Sequence, residues 1–138
     1  MNDDRRIASA ELKNKRDVAD LKARTKSFAL RIFRLVAALP RSLQGQTVAK
    51  QIVRSATSVA ANYRAACRAR SRAEFIAKIG VVEEEADETL FWLELIVEAD
   101  LLDMERIGPL LQEADEVVAI MAASRKSAVA NRHSLEAL

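Results

Sequence analysis

The sequence predicts an all-α fold, an antiparallel up-down-up-down four-helix bundle, and three observations carry that prediction. Helix breakers are scarce: the 138 residues hold 3 glycines and 2 prolines. The background is rich in Ala, Leu, Arg and Glu, all good helix formers. Apolar residues recur at three- and four-residue steps along most of the chain, the signature of amphipathic helices. Short breaks separate the periodic segments, which sets neighbouring helices antiparallel. A chain of this length makes one domain with a real core.

The first helix is read from Asp17 to Leu39, on Leu21, Phe28, Ile32, Leu35 and Leu39, with Ala29 and Val36 beside them. Residues 1–16 are charged and are expected to fray. Pro40 and Gly45 bracket PRSLQG, the clearest break. The second helix, Gln46 to Arg68, places Val48, Ile52, Ala56, Val59, Tyr63 and Ala66 on one side. Lys50, Arg54, Arg64 and Arg68 fall opposite, and Gln51, Ser55, Ser58 and Asn62 make a hydrogen-bonding flank. Ser71 and Glu74 then form a capping box that opens the third helix. Its seam runs through Phe75, Ile79, Val82, Ala86, Leu90, Leu93 and Val97, and it ends near Leu102. Phe91, Trp92 and Leu95 lie off that seam. A helix apolar around most of its circumference is buried on more than one side, so these three residues are expected at a subunit interface. Asp103 caps the fourth helix, whose stripe is Ile107, Leu110, Ala114, Val117, Met121 and Ala128. Gly108-Pro109 within its first two turns predicts a kink or a restart. The bundle is expected to span 17–131, with a loose tail over 132–138.

Charge is distributed unevenly beneath a net charge of +2. From Leu21 to Ala73 there are twelve Lys and Arg and no acid; from Glu74 to Glu116 there are fourteen acids against Lys78 and Arg106. Lys50, Arg54, Arg64 and Arg68 form a stripe about 27 Å long at 1.5 Å per residue. Arg70 and Arg72 extend it to the start of the third helix, where free backbone N–H groups add positive potential. Three readings stay open for this face. The arginines pair with the acids of the third helix, each exposed pair contributing little. Alternatively they meet the acidic face of another subunit, head to tail, a contact that closes into rings. Or they contact the phosphates of RNA or DNA, with charge-led and weakly sequence-selective binding.

No residues suggest catalysis, a metal or another cofactor. The run EEEADE (Glu83 to Glu88) points its acids around the helix, and bundle metal sites add a Glu-x-x-His motif that is missing here. His133 stands alone, and Cys67 reads as a small packed residue. Gly80 and Gly108 belong to no phosphate loop, and no small-molecule substrate is evident. One cysteine, no N-terminal signal pattern and no apolar run long enough for a bilayer predict a cytoplasmic protein that does not enter the membrane.

The stretch from Gln51 to Leu95 carries a resemblance. Arg54-Ser55 with Thr57-Ser58, Ala61-Asn62-Tyr63-Arg64, Arg70-Ser71 and Glu74-Phe75 with Lys78 are its strongest parts. Glu84, Glu85, Asp87, Glu88, Trp92 and Leu93 extend it, as does the Leu39-Pro40 ending of the first helix. From about Leu21 to Ser124 the chain resembles the bacterial four-helix bundle protein family, which includes proteins encoded within intervening sequences of 23S rRNA genes. It is also similar to the accessory variability proteins of diversity-generating retroelements. Many relatives carry Glu where this chain has Ala65. The resemblance implies a bundle that assembles into a ring, commonly a pentamer. It further suggests binding of RNA, DNA or a reverse transcriptase through basic surfaces, and it does not imply an enzyme.

Overall fold

The computed structural model describes the backbone of residues 2–136 and the side chains of residues 15–131. Four helices follow one another: α1 (Asn2–Val36), α2 (Leu43–Ala66), α3 (Arg72–Glu98) and α4 (Met104–Glu136). Each packs on the next, and α1 meets α4 over a short stretch. This is the antiparallel bundle that the short connections demand. Helix α1 begins well before the expected Asp17, so residues 2–16 of the segment expected to fray are helical in backbone, and α4 likewise runs on into the expected tail as far as Glu136.

The joints differ in detail from the expected boundaries. At its end α1 tightens into a turn, with the Ala38 and Leu39 amides donating to Leu35 and Val36 carbonyls at 3.0 and 3.2 Å. Helix α2 starts earlier than Gln46, because Ser42 is its N-cap and accepts from the Gly45 amide at 3.2 Å. Gly45 is therefore not a break but a buried residue of the first turn. A Cβ there would lie 1.9 Å from the Pro40 carbonyl oxygen, so only glycine fits. Ser71 caps α3 as expected, accepting from the Glu74 amide at 3.1 Å. Glu74 reaches back one residue further than a capping box requires, to the Arg70 amide at 3.1 Å.

Helix α3 stops at Glu98 rather than near Leu102. Asp100 takes a left-handed conformation, φ 55°. The Leu101 amide donates to the Ile96 carbonyl at 2.9 Å and the Asp100 amide to Val97 at 3.0 Å. These are the two bonds of a Schellman motif, with Asp where Gly is usual. Asp103 caps α4, accepting from the Arg106 amide at 3.0 Å. The restart expected at Pro109 does not occur: α4 continues through it. The residue before a proline is normally excluded from the helix by its own Cβ and amide. Gly108 has no Cβ, which removes half of that obstacle.

Two buried clusters fill the bundle. The first, at the Pro40 end, joins Phe28, Ile32, Leu35, Val48, Ile52, Leu93, Ile96 and Ile107 among others. The second draws its buried residues from α2, α3 and α4, including Val59, Tyr63, Ile79, Val82, Val117 and Met121, with Leu21 of α1 at its edge. The expected seam of α2 is buried throughout. On α3 the seam shifts: Thr89 and Ile96 are buried, whereas Leu90 and Val97 are only half-buried.

The cause is a hydroxyl pair. Thr89 Oγ1 and Ser55 Oγ meet at 2.8 Å between α3 and α2, with Glu85 and Ile52 carbonyls at 2.8 and 3.2 Å as further acceptors. Two hydroxyl protons thus serve three contacts in the core, satisfying both groups and fixing the α2–α3 register. Among α1 residues, Thr25 is likewise buried, its hydroxyl donating to the Leu21 carbonyl at 2.8 Å.

Candidate functional site

The structure sorts the basic residues into two groups. Arg24, Arg54 and Arg125 are each spent on a carboxylate of a neighbouring helix. Arg54 of α2 reaches Glu85 of α3 at 3.0 Å and also bonds Glu88. Arg125 of α4 donates to Glu83 of α3 at 2.7 Å. Arg24 ties α1 to α4, donating to Glu113 at 2.9 and 2.5 Å and to Glu116 at 2.5 Å. The Arg24 guanidinium holds the Glu113 carboxyl below its usual range, and Glu113 in turn raises Arg24. Hydrogen bonding to Glu83 raises Arg125 in the same way. The run Glu83 to Glu88 therefore faces two ways: Glu83, Glu85 and Glu88 pair with α4 and α2, and Glu84 and Asp87 stay exposed.

Of the six residues expected to meet phosphate, five keep their charge outward. Lys50, Arg64, Arg68, Arg70 and Arg72 are exposed, and none takes part in a salt bridge among the described residues. They do not form one stripe. Arg64, Arg68 and Arg70 gather with Lys78 and Glu74 around a shallow depression of about 420 Å³ at the α2–α3 corner. Arg64 and Arg68 also form one wall of a groove of about 850 Å³ between α1 and α2, whose other wall carries Lys22 and Lys26. Arg72 lies apart, in a pocket of about 480 Å³ with Phe75, Ser124, Ser127, Ala128 and Asn131. Lys50 lines none of these three depressions, and Arg54 is held by Glu85 and Glu88. The basic site is thus a patch on the corner of α1, α2 and the start of α3.

Lys22, Lys26 and Lys78 join the patch although they are not among the six residues expected to meet phosphate. The four-residue step from Lys22 to Lys26 puts both on one face of α1. Nothing in the sequence says that this face looks across a groove at Arg64 and Arg68.

The remaining expected groups are placed as follows. Phe91 is exposed, and its ring meets Trp92 edge to face at 5.0 Å and 69°. Trp92 and Leu95 are half-buried against the first core cluster, and the Trp92 indole N–H is buried without an acceptor among the described residues. Tyr63 is buried, and desolvation followed by the neighbouring Cys67 raises its phenol. Cys67 is half-buried beside the second core cluster. Among the described residues no three of His, Cys, Asp and Glu stand together as metal ligands. His133 lies outside the described side chains. Among the described residues no helix is long and apolar enough to cross a membrane.

These observations define a small all-α bundle whose α1–α2–α3 corner gathers cations that form no salt bridge among the described residues. The model of the family described as 23S rRNA-intervening sequence protein matches residues 19–123, and the chain belongs to that family. A solved structure, described as a protein with unknown function from the S23 ribosomal protein family of Bacteroides thetaiotaomicron VPI-5482, is similar at a TM-score of 0.72 and 34% identity. The similarity covers 77% of this chain and 98% of that one. No curated protein matches the chain significantly.

Proposed function

We propose that the protein is a non-enzymatic, ring-forming bundle that binds nucleic acid through the corner patch of Lys22, Lys26, Arg64, Arg68, Arg70 and Lys78. One observation carries this reading: the fold pairs Arg24, Arg54 and Arg125 internally and leaves this cluster outside those pairs, all exposed but the half-buried Lys78, with only Glu74 among its lining residues to oppose it. Cations gathered where three helices meet suit a polyanion, because each phosphate they neutralise releases condensed counterions. The patch offers charge and few base-reading groups, so RNA and DNA of many sequences are accepted.

Ring assembly is a separate part of the proposal, supported by the exposed Phe91 beside Trp92 and by the acidic surface of Glu84 and Asp87. A basic corner and an acidic face on one chain allow a head-to-tail contact. Fluorescence anisotropy with mixed RNA and DNA oligomers tests the first part. Binding at low salt with a steep negative log–log slope supports it; no binding at low salt refutes it. Light scattering tests the second, and a monomer mass at micromolar concentration refutes it.

A further inference from the structure

The groove between α1 and α2 carries more than charge. Its floor and one end are apolar: Ala29, Ala60 and Ala61 leave room, and Leu30 and Phe33 are 45% and 46% exposed. The other exposed phenylalanine, Phe91, has Trp92 against its ring. Phe33 has no described aromatic partner and borders the open groove. From Ala19 to Phe33 the groove follows about 21 Å of α1 at 1.5 Å per residue. That length takes about six nucleotides at a stacked spacing of about 3.4 Å, and fewer if the strand is extended.

We propose that this groove binds unpaired nucleotides, Phe33 stacking on a base while Lys22, Lys26, Arg64 and Arg68 hold the backbone. The inference rests on the nucleic-acid reading above and names the form of nucleic acid. A duplex presents phosphates and sugars outward and keeps its bases stacked inside. The cations of the groove can meet it, but Leu30 and Phe33 gain nothing from it. A single strand offers both a backbone and free π-faces, and aromatic stacking with cationic walls is how single strands are held without sequence preference. Charge selects the polyanion and the apolar end selects unpaired bases.

The test compares a labelled oligothymidine 20-mer with a 20-base-pair duplex, by anisotropy, on the full chain. Phe33→Ala is expected to weaken oligothymidine binding about tenfold and leave duplex binding within twofold, with Phe33→Trp restoring the single-strand affinity. Phe33 is half exposed, and equal melting temperatures of the variants confirm that the fold is kept. If Phe33→Ala leaves oligothymidine affinity within twofold, the inference is overturned while the phosphate reading stands. It is equally overturned if Phe33→Ala changes the mass by light scattering without touching affinity, because the apolar end is then a subunit contact. If neither oligomer binds the wild type at low salt, both readings fall together.

Discussion

Replacing Gly45 by alanine probes how the first two helices are joined. The new Cβ would stand 1.9 Å from the Pro40 carbonyl oxygen and 2.9 Å from its carbon, where an ordinary contact begins at 3.4 Å. The shortfall is 1.5 Å (3.4 minus 1.9), and both atoms are backbone, so no rotamer change relieves it. Movement of Pro40 disturbs buried Leu39 and the Ser42 cap together. Overpacking of this kind costs about 3 kcal/mol, and loss of the cap about 1. Alanine returns about 1 kcal/mol of helix propensity, so the net loss is about 3 kcal/mol. Unfolding entropy of about 2.1 cal/mol/K per residue gives about 0.29 kcal/mol/K for this chain, hence a fall in Tm of about 10 °C. Gly80 in the middle of α3 is the control: a Cβ there meets only the Arg125 side chain, at 4.0 Å. Gly80→Ala is expected to gain about 1 kcal/mol, raising Tm by about 3 °C. Thermal melts by circular dichroism measure both, and a Gly45→Ala Tm at or above the wild type refutes the close-approach argument.

Three further outcomes follow from the same structure. Asp100→Gly relieves a left-handed residue at the end of α3 and should raise Tm by about 3 °C, read by the same melts. Ser55→Ala and Thr89→Val each cost about 1–2 kcal/mol in denaturant unfolding, and the double variant costs less than their sum, because one hydrogen-bonded pair is shared. Glu113 has its folded pKa held below the unfolded value of about 4.5 by Arg24. Its ion pair therefore stabilises fully above that value and is lost as pH falls through the folded pKa. In urea titrations between about pH 5 and 3, Glu113→Gln should lose less stability than the wild type.

How much could be read in advance varies from helix to helix. On α2, Val48, Ile52, Ala56, Val59, Tyr63 and Ala66 contrast with charged residues opposite, and all six are buried. On α3 the run LFWLELIV is apolar on most sides, so periodicity has no contrast to work with. There the Ser55–Thr89 pair decides which residues turn inward, and that pair exists only once α2 and α3 are in register. Glycine next to a break looked like part of the break, whereas Gly45 is needed for an approach of two chain segments. The candidate site shows the same division. Arg54 and Arg64 share a helical face, and no property of α2 distinguishes them. What separates them is α3, which sets Glu85 and Glu88 opposite Arg54 and leaves Arg64 beside Lys22 and Lys26 across the groove.

The basic corner is tested most directly by the salt dependence of nucleic-acid affinity in three proteins: wild type, Arg64→Ala/Arg68→Ala and Arg54→Ala. The account predicts that losing Arg64 and Arg68 makes the log–log slope shallower by about 1.8 on duplex DNA, or about 1.4 on a single strand. Arg54→Ala should leave the slope as it was and lower stability by up to about 1 kcal/mol. An unchanged slope in the double variant, or the larger loss in Arg54→Ala, would contradict it.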